Sequence, residues 1–565
     1  MSRALIFVGV ALSLLLALVA GVYFSLPAVA QAPDEKPADA PELVVKTYAV
    51  GDIVVRHDDT GNVTYDAESL QEIITATIEP VAWDTNGGPG TIEVAPGDNK
   101  TLVVKQTAEV HQRVGKLLSL LRLVAQETAA NRTITGYGEP FKHDPETEKL
   151  QKALARKVDL DFHEKPLGEA VAFLRESYAL NVRIDKKALD DIGIGPDMPV
   201  TFRIKGIALR AALRLMLRQV DLSYLVSDGT LMIATPEAAE NSLSMAVYPL
   251  GDLVGERDKS GQMTYDFEPL TELITDIVRP ATWDCAGGPG SITPARFDNL
   301  RALVVSQTAD VHEELTVLLR SLRAIERQAA LGNGGVQPVA CFLTPEEAAA
   351  KEAVERALQR KVSLQYDAAP LDGIARQVAD LAGVPVQIDR KALEDLGIGT
   401  DAPVSFRVSN VSLRSALNLM LRNLDLTYEI RDEVLLITTP EVTDNSLTTT
   451  IYPVADLVVC RDSKGELWDD YDTLIDTITS TVASPTWDQA GGPGDVKGFP
   501  IGKAKVLVVS QTADVHREIA ELLAKIRAVA RKSPPAARPP LRDPAPPAGL
   551  HISVIPVVGS ATRIP

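Results

Sequence analysis

Three stretches of this sequence repeat residue types that elsewhere do chemistry. Trp83-Asp84, Trp283-Asp284 and Trp487-Asp488 are each followed by Gly-Gly-Pro-Gly at 87–90, 287–290 and 491–494, then by Gln-Thr-Ala-Asp/Glu-Val-His ending at His111, His312 and His516. A G-x-x-G loop can cradle a nucleic-acid backbone, a displayed Trp can stack on a ligand, and His can bind metal or carry a proton. The surroundings argue against each role. The glycine loop holds no Lys or Arg to meet phosphate and lacks the Gly-Lys-Ser/Thr ending of a P-loop. It reads as a turn, opened by Gly87, Gly287 and Gly491, because glycine supplies positive φ and proline fixes the bend. Trp83, Trp283 and Trp487 each follow a proline, at Pro80, Pro280 and Pro485, and precede that turn. Such a position suits a structural anchor, since one large aromatic buries about 150–250 Å².

Thr107, Thr308 and Thr512 precede Glu109, Asp310 and Asp514, so they read as helix N-caps, with the acids favouring the positive helix end. The histidines then fall in the first helical turn, as surface or partly packed residues without partner ligands. Asp469-Asp-Tyr-Asp472 has the charge for calcium but not the oxygen alternation and glycine turn of an EF-hand loop, and reads as a solvated helix start. Cys285, Cys341 and Cys460 have neither metal-ligand nor CxxC spacing. No nucleophile elbow, H-E-x-x-H motif or paired-acid spacing occurs. The expectation is no catalytic residue, no cofactor and no metal site.

The elements that hold these residues repeat with them. Tyr48-Ala-Val-Gly-Asp-Ile-Val, Tyr248-Pro-Leu-Gly-Asp-Leu-Val and Tyr452-Pro-Val-Ala-Asp-Leu-Val open three copies of a module, B. An amphipathic stretch follows, with Leu270, Leu273, Ile274 and Ile277 at helical spacing in the second copy, then two strands, the second ending Leu-Val-Val, and a last helix. Module B therefore reads as βαββα. A second module, A, occurs twice. Phe202 recurs as Phe406, Met216 as Met420 and Trp283 as Trp487, a constant shift of 204 residues, so the larger repeat is A plus B. Within A, alternation at 158–162, helical spacing at Leu167, Val171 and Leu174, an apolar helix at 209–220 and a hairpin at 222–234 give about βαββαββ.

The fold class is thus α+β, with five small modules strung as beads: B1 at 44–126, A1 at 149–239, B2 at 244–327, A2 at 353–444 and B3 at 448–530. Joins at 127–148 and 328–352 are candidate hinges, so each module is expected to fold independently. A chain of 565 residues with 45% hydrophobic and 24% charged residues has the composition of a folded, multi-domain protein. Its formal charge of −19 repels phosphate backbones and excludes nucleic acid as a partner. Arg3, the uncharged run 4–24 and Ala28-Val29-Ala30 make residues 1–30 a signal peptide cleaved after Ala30; left uncleaved, 4–24 is long enough to anchor in a membrane. Residues 31–43 are a linker, and 531–565 a proline-rich tail expected to be extended and mobile. Near its end, 551–558 is apolar and β-branched, suited to adding to a sheet edge.

The A-then-B order resembles the periplasmic N-terminal domains of bacterial secretins. Val158-Asp-Leu-Asp-Phe, Leu167-Gly-Glu-Ala-Val, Asn181-Val-Arg-Ile-Asp and Leu209-Arg-Ala-Ala-Leu, with their recurrences from Val362, Leu371, Val386 and Leu413, make A similar to the secretin/TonB short N-terminal (N0-like) domain. The Tyr-x-x-x-Asp-Leu-Val strand and the Leu-Val-Val-x-Gln-Thr-Ala-x-Val-His crossing make B similar to the N1, KH-type unit. In a KH domain, however, the G-x-x-G loop joins two helices, and here it lies between a helix and a strand. The resemblance covers 44–530 and implies protein contacts in the periplasm, with other envelope proteins or with itself. It stops short of the secretin barrel, so no pore is implied. The expected function is an exported envelope scaffold of the kind used in type II secretion or type IV pilus systems. Two alternatives stand beside it: a ligand-sensing module of the TonB short N-terminal type, and an enzyme whose site the sequence does not announce.

Overall fold

The computed structural model describes residues 42–532, apart from 58–60, 98, 130–135, 139–144, 228, 258–261, 332–336, 342 and 462–464. The leader at 1–30, most of its linker and nearly all of the proline-rich tail lie outside the described residues. Among the described residues no helix is long and apolar enough to cross a membrane.

The chain is α+β, with small separate sheets in five modules. B2 shows the B plan: strand Ser244–Pro249, helix Glu268–Ile277, strands Ser291–Phe297 and Leu300–Gln307, then helix Ala309–Ala330. Leu300–Gln307 lies between the other two strands and pairs antiparallel with both. The first helix buries Leu270, Leu273, Ile274 and Ile277, the four residues whose spacing predicts it. Beyond the expected βαββα, all three B modules carry a hairpin of three-residue strands such as Gly255–Arg257 with Met263–Tyr265, and B2 and B3 add a four-residue helix, Gly251–Val254 or Ala455–Val458. Strands so short leave too little alternation to read.

Module A is also richer than expected. A1 opens on helix Pro145–Leu154, and A2 on Pro345–Leu358, which starts with a capping box between Thr344 and Glu347. A long ribbon follows, Lys157–Pro166 with Pro199–Ala208 in A1. The three-stranded sheet places Val182–Ile184 parallel to Thr230–Ala234, which pairs antiparallel with Ser223–Ser227. Short helices Lys186–Asp191 and Arg390–Asp395 add a turn after the parallel strand, each capped by an aspartate, Asp185 or Asp389, accepting from a backbone N–H.

Both joins, the candidate hinges, contain a paired strand. Tyr137–Gly138 pairs with Ala246 and Val247 as an edge strand of B2, and Val339–Ala340 pairs with Thr450 and Ile451 as the matching edge of B3. The opening helices of both A modules begin inside the same stretches.

The modules are not beads. Helix Ala67–Thr77 of B1 lies on strand Ser291–Phe297 of B2, and helix Glu268–Ile277 of B2 lies on Asp495–Ile501 of B3. The B1 core accordingly runs on into Val247, Ala295, Phe297 and Val304 of B2, all buried. The B2 core runs on into Ile451, Phe499, Val506 and Val508 of B3. The reason is geometric: a sheet has two faces, its own helices cover one, and the apolar second face needs a cover that the preceding B module supplies. A1 and A2 form a second, smaller stack, in which Val434 and Leu436 of A2 join the A1 core.

Candidate interaction surfaces

The side chains repeated in every B module are spent inside it. Trp83, Trp283 and Trp487 are buried, and each indole N–H donates at 2.7 Å to the carbonyl of Ile78, Val278 or Val482 at the end of the first helix. Gly87, Gly287 and Gly491 stand at φ +85°, +85° and +83°, the left-handed turn that glycine favours. Gly290 carries a different constraint, since a Cβ there would meet the Gln307 amide nitrogen at 2.1 Å. That glutamine crosses the module. Its Nε2 donates to Thr282, while its Oε1 accepts from the backbone N–H of Thr308, and Gln106 and Gln511 do the same in B1 and B3. The glycine turn is therefore a seat for a buried amide.

The threonines after those glutamines start the last helices. Thr107 and Thr308 accept through Oγ1 from Val110 and Val311 N–H, and the Thr512 carbonyl accepts from His516 N–H. The histidines depart from the sequence expectation of a surface or partly packed position, because all three are buried. Their ring nitrogens are both occupied. Nε2 faces the carbonyl of Val44, Ser244 or Thr448 and must donate to it, which leaves Nδ1 to accept from the hydroxyl of Tyr48, Tyr248 or Tyr452. Burial holds His312 and His516 neutral, with pKa values pushed down to about 4, and pushes the Tyr248 and Tyr452 hydroxyls up. A neutral imidazole locked at both nitrogens neither binds metal nor shuttles protons.

One repeated pair had no signal in the local sequence. Arg323 forks onto the Asp252 carboxylate at 2.6 and 2.9 Å and donates to the Pro249 carbonyl, and Arg122–Asp52 and Arg527–Asp456 repeat it. The Tyr and Asp of the opening strand motif thus both clamp the last helix, one through His and one through Arg. A constant separation between copies, 71 residues in B2 and B3, is the trace that could have revealed it.

Around Asp469-Asp-Tyr-Asp472, Asp470 caps the helix Tyr471–Thr481 and Asp469 pairs with Lys505 at 2.7 Å. Among the described residues no group of His, Cys, Asp and Glu is arranged to hold a metal.

What remains for partners lies at the seams and ends. The A1–A2 seam carries charge: Arg218 pairs with Asp389 at 3.3 Å, and Arg214 reaches Glu347 at 3.3 Å and Asp432 at 3.6 Å. Glu433 is the most unusual residue there, buried at φ +63° beside Asp432 at +48°, where the A1 hairpin has Gly229. Its carboxylate accepts from Ala208 N–H, the residue before the A1 helix Leu209–Arg218. At the far end of the B stack, the first helix of B3 replaces the buried Leu273 and Ile277 of B2 by half-buried Thr477 and exposed Thr481. An open groove of about 510 Å³ lies on that helix, lined by Asp476, Thr479, Ser480, Ser484, Trp487 and Gln489. At the near end, the strand Val44–Ala49 of B1 leaves Lys46 and Thr47 exposed, whereas the matching residues of B2, Ala246 and Val247, are completely buried. No known protein family matches the sequence, and no curated protein matches it either.

Proposed function

We propose that this chain is an exported envelope scaffold whose A and B modules make protein contacts, in or beside a secretion or pilus-like machine. The observation that carries this reading is where the repeated residues go. Trp283, Gln307, His312, Tyr248, Asp252 and Arg323, with their copies, are consumed in building modules, so what repetition delivers outward is a row of linked surfaces. Contacts spread along one tethered chain reinforce one another through effective concentration. The resemblance of the A-then-B order to secretin N-domains supports the same reading, because those domains act by packing against neighbours and receiving periplasmic partners.

The test is cross-linking of the full chain in its native envelope, paired with light scattering of the purified protein across salt concentrations. The scaffold reading expects a cross-linked protein partner or a self-associated species. A strict monomer at every salt concentration with no cross-linked partner overturns it and brings the ligand-sensing reading forward.

A further inference from the structure

The three B sheets differ in one strand. Among the described residues B2 and B3 have four, with Tyr137–Gly138 and Val339–Ala340 as the outer edge, and B1 has three. Among the described residues nothing pairs with the outer edge of Val44–Ala49, the position those join strands occupy in the other two modules. An open strand edge presents unpaired N–H and C=O groups and is a template for another chain. The register is fixed by the repeat. Val339 lies opposite Ile451, Ala340 opposite Thr450, and Cys341 N–H donates to the Thr449 carbonyl at 2.8 Å. The matching positions in B1 are Thr47, Lys46 and Val45.

The donors share a place in the chain. Each follows the last helix of one B module and pairs with the next B module, never with the one before it. The donor of B3 reads Val336-Gln-Pro-Val-Ala340, and after the last helix of B3 the tail reads Val554-Ile-Pro-Val-Val558. In the B3 donor the proline, Pro338, lies just before the paired residues, where its fixed φ suits an extended chain and its missing N–H costs no ladder hydrogen bond, and Pro556 holds the same place in the tail sequence. The segment ahead of B1, 31–41, is made largely of Pro, Ala, Asp and Glu and holds no β-branched or aromatic residue, whereas each donor has one at its paired positions, Tyr137 or Val339. Among the described residues the B sheet with an open edge is that of B1, at the opposite end of the stack from B3, so a tail that donates forward, as both joins do, meets that edge on another molecule.

We propose that Val557 and Val558 of one copy add as a fourth strand to the open edge of B1 in a second copy, opposite Thr47 and Lys46. The proposal rests on the scaffold reading and gives it a partner, the chain itself. The contact is head-to-tail, so it builds rings or filaments and not closed two-fold dimers. Residues 533–556 separate Val557 from the last helix of B3, and a proline-rich chain spans up to roughly 3 Å per residue.

Full-length chains with two different tags, co-expressed in one cell, test it. Both carry Cys285→Ser and Cys460→Ser; one adds Thr47→Cys and the other Val557→Cys. The expected result is a disulfide-linked species holding both tags, reduced at least tenfold when Val558→Pro is added to the donor. A third chain carrying Thr47→Cys and Val557→Cys together checks the source of the strand. No mixed disulfide, or one formed only within that third chain, overturns the proposal. Cross-linking to other envelope proteins is read in parallel on a chain lacking 551–565. If it persists while the mixed disulfide is absent, the strand exchange is wrong and the scaffold reading stands; if both are absent, both fall.

Discussion

The B–B seams and the A1–A2 seam join repeats of one chain by different means. Between B modules, helices lie on an apolar sheet face, with Phe297, Val304 and Ala295 wholly buried and few charges crossing, such as Lys497–Asp276 at 2.8 Å. Between A modules the shared apolar surface narrows to Val434 and Leu436, and ion pairs and a buried carboxylate do much of the joining. Burial of broad apolar area is indifferent to pH and direction, whereas charge-assisted contacts are specific and respond to protonation. The B stack is therefore the spine of the molecule, and the A pair its more adjustable flank.

The largest effect that separates them is expected inside the spine. Trp283→Ala removes a fully buried indole and leaves the Val278 carbonyl without its donor, so B2 should lose roughly 3–5 kcal/mol of stability. A urea midpoint for B2 that does not move would contradict the anchor role.

Acid is the next lever. His312 and His516 are held neutral with folded pKa values of about 4 against an ordinary 6.5, so their contribution is complete above pH 6.5 and fades as pH falls toward 4. Each accounts for about 3 kcal/mol across that window. Glu433 has the opposite sign. Burial raises its pKa, so its favourable contribution is full below the ordinary carboxylate range and is lost as pH rises through the folded value. Melting temperature against pH, measured for the wild type, His312→Gln and Glu433→Gln, checks both signs: the histidine variant should flatten the acid limb, and the Glu433 variant should not.

The smallest effect concerns the strained hairpin. Glu433→Gly recovers the residue that A1 uses at that turn but loses the acceptor at Ala208, while Glu433→Ala loses the acceptor and keeps the left-handed strain. The alanine variant should be less stable than the glycine variant by about 1 kcal/mol. Equal stabilities, read by chemical denaturation, would show that the backbone strain is negligible.

Much of the module plan was legible because it rests on local spacing. Leu270, Leu273, Ile274 and Ile277 declare a helix, and the order of proline, Trp and glycine turn declares how that helix ends. The stacking was not declared by any one module. Its signature was present in Leu303-Val304-Val305, an unbroken apolar run where a sheet with one wet face would alternate, since Val304 faces the core of B1 and its neighbours face that of B2. The pairs Asp252–Arg323 and Ala208–Glu433 were illegible for a related reason: their partners lie 71 and 225 residues apart, and charge alone does not reveal who meets whom. The histidines were misplaced because helical position sets the direction of a side chain and not what lies above it.

The central claim is that the B modules share one continuous core. Phe297 belongs to B2 by sequence but is buried in the core of B1, so hydrogen exchange of the B1 strand Thr101–Gln106 in a Phe297→Ala chain tests it directly. The account predicts faster exchange in B1, by the factor that matches a loss of roughly 3–5 kcal/mol shared across the seam. Unchanged exchange in B1 beside a destabilised B2 would contradict it and return the modules to independent beads.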